Sequence, residues 1–362
     1  MKFKPTEENN HPGHNGQSHF EQVGPWDPKI QNSIHKLIEQ ISPGQPFEHS
    51  DVVTEIMVTA LKAVQSQITR GDLKLLSRSI RELRYAFKIF KSYRGIRKVT
   101  IFGSARTKPS HPAYKSAKLF ASKLAKNGYM VITGAGPGIM MAGNEGAGPA
   151  ASFGVNIRLP YEQHPNKFIA DQPTYIDCRY FFTRKLIFVK EASGAVFFPG
   201  GFGTLDEAFE ILTLVQTGKC EPIPIILVDV PGGAFWKSFK KFIAGHLLSA
   251  KRISKEDMSI FKIVTSPQAA CDELFKFYSN YHSQRYVGDR LVMRLQNPVD
   301  EKQLAYLNKN YTNLLESGRF EAGSALKEED NQPELQHLPR LIFKFNRVNN
   351  GRLRQLIDYL NS

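Results

Sequence analysis

The sequence predicts an α/β protein whose central parallel sheet is covered by helices on both faces. Short apolar segments recur between residues 98 and 264, namely KVTIF, YMVIT, SFGVNI, TYID, GAVFF, PIPIILVD and FKIV. Stretches with helical periodicity separate them, and this alternation is typical of βαβ units with parallel strands. Helical stretches precede the first of these segments, and the pattern changes again after residue 282.

The part of the chain before the predicted sheet has two segments. Residues 1–28 are rich in Asn, His, Gly and Pro, so they bury little apolar surface and are predicted to be a flexible arm. Residues 29–96 are predicted to form a helical segment that caps the next domain. Its clearest helix, GDLKLLSRSIRELRYAFKIF, carries an apolar stripe of Leu73, Leu76, Ile80, Leu83 and Phe87.

The remaining residues are predicted to form two further regions. Residues 97–282 contain the alternating pattern and are expected to fold as a Rossmann-like domain. Residues 283–362 contain two strand candidates, RLVMRL and RLIFKF, each near a helical segment such as DEKQLAYLNKNY or GRLRQLIDYL. We therefore expect a small α+β appendage at the C-terminal end.

The composition argues against several classes of protein. Of 362 residues only 3 are Cys, without C-x-x-C spacing, and the 10 His residues lack the spacing of zinc proteases. Neither a disulfide framework nor a metal site is therefore predicted. No apolar run approaches the roughly 18–20 residues of a membrane helix, and the first residues lack a secretory signal, so we expect a cytoplasmic protein.

The charge distribution favours an anionic ligand. The formal net charge is +14, and no Asp or Glu occurs from Leu83 to Asn144 although Lys and Arg recur there. A phosphate-bearing ligand would find that region favourable.

A glycine-rich turn at residues 199–207, PGGFGTLDE, follows the strand GAVFF and begins a helix. Such a turn lets backbone N–H groups of Gly200, Gly201 and Gly203 approach an anion, and the helix N-terminus adds roughly half a positive charge. Thr204 is predicted at the N-cap, with Glu207 three residues later. The same spacing is that of a capping box, so a purely structural role of this pair stays open.

Two further turns at strand ends are predicted to frame the same crevice. One contains Gly136 and Gly138 after YMVIT, and the other contains Gly103 and Ser104 after KVTIF. Neither has the G-x-G-x-x-G spacing and following acid of a dinucleotide site, and no P-loop motif occurs.

Arg184 and Lys185 begin a helix after the TYID strand. A guanidinium there could hold a phosphate or ribose oxygen, although a solvated basic helix end is the alternative. Phe181, Phe182 and Phe188 are interpreted as core residues rather than as a platform for a base.

These motifs resemble those of the Lonely Guy (LOG) phosphoribohydrolases, which are related to bacterial nucleotide nucleosidases and are often labelled lysine decarboxylases. The motif P-G-G-x-G-T-x-x-E stands at residues 199–207, the upstream Arg-Lys pair stands at 184 and 185, and GAGPGIMMAGNEGA and LPYEQHPN look like the longer bacterial branch. The resemblance covers roughly residues 98 to 280.

The resemblance implies hydrolysis of the N-glycosidic bond of a nucleoside 5'-monophosphate, AMP-like or a cytokinin riboside monophosphate, without a cofactor. It implies that Arg184 and Glu207 are catalytic and that Gly201, Gly203 and Thr204 hold the 5'-phosphate. It places further residues around the substrate, namely Lys185, Glu210 and Thr213, with Glu162 in the segment of another substrate-contacting acid. It also implies a homodimer or larger homo-oligomer with sites near the interface.

Other functions remain to be weighed against hydrolysis. The same cradle would serve a non-catalytic protein that carries a nucleotide or phospho-cofactor. Nucleic-acid binding is disfavoured because no recognition helix or interleaved aromatic and basic pattern stands out. Amino-acid decarboxylation needs a pyridoxal cofactor on a lysine, and nothing in the sequence identifies one.

Overall fold

The computed structural model describes residues 28–41, 43–44, 49–159, 164–330 and 332–362. Almost all of the predicted flexible arm, and Glu162, lie outside the described residues. The chain forms two compact units, Met1–Arg78 and Ser79–Ser362. The domain boundaries predicted from sequence stay predictions. No helix among the described residues is long and apolar enough to cross a bilayer.

The described part of the first unit is helical. It contains α1 (Pro28–Ile41), α2 (Ser50–Gln65) and the start of α3 (Arg70–Lys91), whose last residues belong to the second unit. The predicted apolar stripe of α3 is not buried along its length. Leu73, Leu76 and Ile80 are each about half exposed, whereas Leu83 packs against the core of the second unit.

A seven-stranded parallel sheet forms the centre of the second unit, and it confirms the predicted Rossmann-like α/β fold. The spatial order is β4-β3-β2-β1-β5-β6-β7, so the order reverses between β1 and β5. Ligands of open α/β sheets bind at such a reversal, outside the carboxyl ends of the strands. The strands are β1 (Lys98–Phe102), β2 (Met130–Thr133), β3 (Ser152–Ile157), β4 (Tyr175–Cys178), β5 (Ala195–Phe197), β6 (Ile225–Val228) and β7 (Phe261–Val264).

Helices cover both faces of this sheet, as predicted. One apolar cluster joins the sheet to α4 (Pro112–Lys126), α5 (Ile139–Ala147) and α9 (Pro267–Phe277). The cluster on the other face includes residues of α6 (Phe181–Lys190), α7 (Phe202–Gln216), α8 (Phe235–Phe242) and the end of α3. The sheet is therefore buried on both sides, which explains its nearly continuous apolar strands.

A second sheet lies at the C-terminal end of the chain and confirms the predicted α+β character. It is antiparallel, with the order β10-β11-β9-β8. Its strands are β8 (Tyr281–Val287), β9 (Arg290–Leu295), β10 (Leu315–Gly323) and β11 (Arg340–Phe345), and its helices are α10 (Glu301–Asn310) and α11 (Asn350–Leu360). The strands β8 and β10 were not predicted.

Candidate active site

A cleft of about 780 Å³ opens at the carboxyl ends of β1, β2, β3 and β5, where the strand order reverses. Five segments form its walls: the loop after β1, the turn after β2, the end of β3 with the residues that follow it, the first half of α6, and the turn that leads from β5 into α7. The lining residues are Phe102, Gly103, Ser104, Ala105, Arg106, Gly134, Met140, Ile157, Leu159, Phe181, Arg184 and residues 200–207.

The glycine-rich turn after β5 forms one wall of the cleft. A Cβ atom on Gly200 would overlap the Thr204 hydroxyl, so glycine is required there. Apart from the chain neighbours and the backbone of the same helix, no atom of the described residues lies within 4 Å of a Cβ built on Gly201 or Gly203. Packing within the chain therefore does not explain these two glycines, whereas the close approach of a ligand would.

The start of α7 differs from the prediction. Gly201 is the N-cap, so the helix begins at Phe202 and Thr204 lies within its first turn. The predicted N-cap position of Thr204 is therefore wrong. No side-chain cap hydrogen bond forms at this helix start, and the capping-box interpretation of Thr204 and Glu207 fails with it. The Glu207 side chain therefore makes no capping hydrogen bond at the start of α7.

Glu207 lies on the cleft wall although only 6% of its surface is exposed. Burial raises the pKa of its carboxyl to about 7. The positive charges of Lys185 and Arg184 oppose that shift, while the negative charges of Glu210 and Asp206 add to it. The Glu207 carboxyl can therefore exchange its proton near neutral pH, which suits a general acid or base.

Arg184 faces the cleft from α6 and is held from several sides. Its Nε donates to the Val155 carbonyl at 2.9 Å, and its guanidinium lies 5.0 Å from the centre of the Phe188 ring. A Cβ atom on Gly134 would overlap its Nη2. Burial lowers the pKa of Arg184, and the neighbouring Glu207 carboxylate opposes this shift.

Lys185 lies next to Arg184 but is not among the residues that line the cleft. Its ammonium pairs with Asp206 at 2.9 Å and with Glu210 at 2.8 Å, which ties α6 to α7. Burial alone would lower the pKa of Lys185, but the hydrogen bonds to Glu210 and Asp206 outweigh it and raise the pKa. The exposed Thr213 donates its hydroxyl to the Phe209 carbonyl at 2.7 Å. The structure therefore does not bring Lys185, Glu210 or Thr213 to the cleft wall.

Most of the turn after β2 lies behind the cleft wall rather than on it. Gly136 and Gly138 are buried and do not line the cleft. The buried Asn166 amide donates to the carbonyls of Ala135 at 3.0 Å and Gly136 at 3.1 Å. Gly138 has φ +67°, and a Cβ there would overlap the Ser104 carbonyl. These two glycines shape the turn, whereas Gly134 reaches the cleft.

Ser104 joins the three predicted turns. Its N–H donates to the Pro199 carbonyl at 3.2 Å, and its carbonyl accepts from the Ile139 N–H at 3.1 Å. Gly103 and Ser104 both line the cleft. The structure thus brings together eight of the residues singled out in the sequence: Gly103, Ser104, Arg184, Gly200, Gly201, Gly203, Thr204 and Glu207.

Apolar side chains on the cleft wall were missed by the sequence analysis. Phe181 and Phe182 were interpreted as core residues, but they are 53% and 51% exposed, and Phe181 lines the cleft. Phe188 is fully buried, as expected. Helical spacing is the sequence signal that could have placed Phe181 on the cleft wall. Phe181 precedes Arg184 by three residues and therefore shares its helix face.

A carboxylate from α3 holds the start of α6 and was also missed. Glu82 accepts the Thr183 hydroxyl at 2.7 Å and the Arg179 N–H at 3.0 Å. These two hydrogen bonds therefore stabilise the start of α6, the helix that carries Arg184.

Comparison with known proteins supports the resemblance noted in the sequence. The family model described as possible lysine decarboxylase matches residues 137–274. This part of the chain is similar to that family. The matched segment contains Arg184 and the turn at residues 199–207 but is less than half of the chain. The family match and the cleft indicate a protein that binds or processes a nucleotide or another phosphate-bearing ligand.

Solved structures resemble about half of the chain. A molybdenum cofactor binding protein from Rippkaea orientalis is 21% identical, with 49% of this chain and 93% of that chain covered and a TM-score of 0.35. The molybdenum cofactor carrier protein of Chlamydomonas reinhardtii is 18% identical, with 50% and 98% covered and a TM-score of 0.35. DNA processing protein A from Streptococcus pneumoniae is 15% identical, with 50% and 62% covered and a TM-score of 0.35. These scores are too low to support an argument about function. No curated protein matches the chain in sequence.

Proposed function

We propose that this protein hydrolyses the N-glycosidic bond of a nucleoside 5'-monophosphate, an AMP-like nucleotide or a cytokinin riboside monophosphate. The products would be the free base and ribose 5-phosphate. The observation that carries the proposal is the position of the buried Glu207 carboxyl on the cleft wall, beside Arg184 and a glycine-rich helix start.

The 5'-phosphate would lie against the turn at residues 200–204. The first turn of a helix leaves backbone N–H groups without partners, and the dipole of α7 favours an anion there. The open space beside Gly201 and Gly203 lets phosphate oxygens approach these groups. Arg184, which lines the same cleft, would hold an oxygen of the phosphate or ribose.

The ribose would then lie over Glu207. Cleavage of the bond to the base builds positive charge on the sugar, which a fixed carboxylate stabilises in a water-poor site. The same carboxylate can accept a proton from the attacking water, because its pKa lies near 7. Binding energy from the phosphate would position the anomeric carbon at this group.

The base would lie against the apolar part of the cleft. Met140, Ile157, Leu159 and Phe181 line that part. An apolar wall with an aromatic ring suits the planar face of a nucleobase.

The decisive experiment compares wild type with Glu207→Gln on a panel of ribonucleoside and deoxyribonucleoside monophosphates, with free bases measured by chromatography. We expect the wild type to release base from at least one nucleotide. Glu207→Gln should lose roughly 10²–10⁴-fold in turnover, because the amide cannot accept a proton, while its affinity for the nucleotide changes little. Glu334→Gln, which alters an exposed carboxylate, is the matched control.

Near wild-type turnover in Glu207→Gln would refute the proposal. Full occupancy by AMP without release of adenine in the wild type would instead identify a protein that binds or carries the nucleotide.

We also propose that the protein is a homodimer formed through α6 and α7. Phe182 and Leu186 lie four residues apart on α6 and are about half exposed, and Phe209 on α7 is 40% exposed. Lys185 pairs with Asp206 and Glu210 and so holds the two helices together, which places these exposed apolar side chains on neighbouring helices. Light scattering should show a dimer for wild type and for Val348→Glu, whose exposed site is elsewhere. Phe209→Glu should be monomeric, and a dimer of unchanged stability would contradict this interface.

A further inference from the structure

A second, shallower cavity of about 380 Å³ adjoins the cleft. It lies in the loop between β1 and α4 and shares Ser104 and Arg106 with the cleft. Its other lining residues are Thr107, Lys108, Ser110 and His111. The proposed hydrolysis makes no use of this space.

The cavity is strongly basic. Among the described residues, no carboxylate forms an ion pair with Arg106 or Lys108, both of which are exposed. The first acid that follows this loop in the sequence, Glu145, is already paired with Lys118 at 2.7 Å and accepts the Tyr114 hydroxyl at 2.7 Å. Two cations in a concave site without acidic partners attract an anion.

His111 adds a directed donor to this cavity. Its Nδ1 accepts the Ala113 N–H at 3.1 Å, which caps the start of α4. The neutral ring therefore carries its proton on Nε2. The ring is exposed and lines the cavity, so this N–H can donate to a ligand bound there.

The loop is organised before any ligand binds. Ser104 Oγ accepts the Arg106 N–H at 3.1 Å, and the His111 N–H donates to the Lys108 carbonyl at 2.9 Å. A preorganised loop loses little conformational entropy when it binds.

We propose that this cavity is a second anion subsite, which binds the β-phosphate of a nucleoside 5'-diphosphate whose α-phosphate lies against the turn at residues 200–204. Ser104 separates the two proposed phosphate positions, and its N–H donates to the Pro199 carbonyl at the start of that turn. Since Ser104 and Arg106 line both spaces, a second phosphate bonded to the one at the turn would reach Arg106 past Ser104. The assignment of the first phosphate rests on the proposed function, and the inference extends the ligands of this site from monophosphates to diphosphates.

The test measures binding of inorganic phosphate and pyrophosphate by calorimetry, since these probes need neither base nor ribose. Wild type should bind pyrophosphate at least about tenfold more tightly than phosphate, because Arg106 and Lys108 add charge-assisted hydrogen bonds. The double variant Arg106→Gln, Lys108→Gln should lose that preference. Lys126→Gln removes a cation at the far end of α4 and should keep it. Thermal unfolding of each variant verifies the fold.

The same preference should appear for ADP over AMP in the Glu207→Gln background, where hydrolysis does not interfere. Equal affinities of wild type for phosphate and pyrophosphate, or a preference that survives in the double variant, would overturn the subsite. Failure of the wild type to hydrolyse any monophosphate would overturn the proposed function, and the pyrophosphate result would still decide the subsite.

Discussion

At the scale of single residues, the site depends on groups whose partners lie far away in sequence. Glu207 was singled out by its motif, but the spacing T-x-x-E fits a helix cap equally well. Only the structure shows that Gly201 caps the helix and that Glu207 is buried on the cleft wall. The raised pKa of Glu207 was equally unpredictable, since it depends on the burial of this side chain in the folded chain.

That pKa sets the expected pH dependence of the reaction. If ionised Glu207 performs the hydrolysis, kcat/KM rises about tenfold per pH unit below pH 7 and levels off above it. Protonation removes the carboxylate as pH falls through its raised pKa of about 7. A pH series of kcat/KM with AMP measures this dependence.

The substrate phosphate titrates near roughly pH 6, so the pH dependence of AMP binding to Glu207→Gln is the control. A flat profile from pH 5 to 8 would contradict the assigned role.

Gly134 controls the position of Arg184. In Gly134→Ala the new methyl group would overlap Arg184 Nη2 and the Met140 sulfur, so the guanidinium has to move. We expect kcat/KM to fall by about 10²-fold, because displacing a positioning group by about 1 Å has effects of that size. Steady-state kinetics would show this. Gly95→Ala is the control, because its added Cβ meets no atom within 4 Å. Full activity of Gly134→Ala would mean that Arg184 needs no fixed position.

At the scale of elements, most of the predicted strands are buried. The five inner strands of the parallel sheet, and β9 and β11 at the centre of the second sheet, are almost fully buried apolar runs, whereas the edge strands β4 and β7 are only partly buried. The strands missed by the sequence analysis, β8 and β10, are the two edges of the second sheet. In β10 only Phe320 is buried, so little apolar pattern marks it.

Helix α6 depends on α3 through Glu82. Glu82→Ala removes the acceptor of the Thr183 hydroxyl and the Arg179 N–H, so we expect a loss of about 1–3 kcal/mol of unfolding free energy. A fall of about tenfold in kcat/KM should accompany it, because α6 carries Arg184. Urea denaturation and kinetics measure the two effects. Arg81→Ala, an exposed neighbour on α3, should change neither. Activity that is lost in both variants alike would argue against a specific role of Glu82.

At the scale of the whole molecule, the C-terminal sheet belongs to the same compact unit as the parallel sheet. Arg354 Nη2 pairs with Glu273 on α9 at 2.6 Å, and Asn350 Nδ2 donates to the Gln216 carbonyl at the end of α7 at 2.9 Å. These contacts join residues more than 80 positions apart, so periodicity along the chain could not reveal them. The sequence predicted an appendage, and the structure shows it fastened to the helix that begins with the glycine-rich turn.

A buried charge cluster holds part of this C-terminal region. Glu329 accepts from Arg294 Nη2 at 2.7 Å and from Arg340 Nε at 3.0 Å, and all three side chains are almost fully buried. Burial opposes ionisation of Glu329, but the hydrogen bonds from Arg340 and Arg294 outweigh it and lower its pKa to about 2.

Removing the charge of Glu329 should therefore be costly. Glu329→Gln leaves two buried guanidinium groups without a counter-charge, and we expect a loss of about 3–5 kcal/mol of unfolding free energy. Glu328→Gln changes the exposed neighbour and should unfold like wild type. Chemical denaturation at pH 7 compares them. A loss below about 1 kcal/mol in Glu329→Gln would show that the cluster is not a main support of this region.

The two hydrogen bonds that Glu82 accepts at the start of α6 also limit how short an expressed fragment of this protein can be. A fragment limited to residues 137–274, the family-matched segment, would lack β1, the strand beside which the cleft opens. Starting at Lys98 would restore that strand but would leave Arg179 and Thr183 without their acceptor. A minimal expression fragment for crystallisation or screening should therefore begin no later than Ser79 and extend through α11.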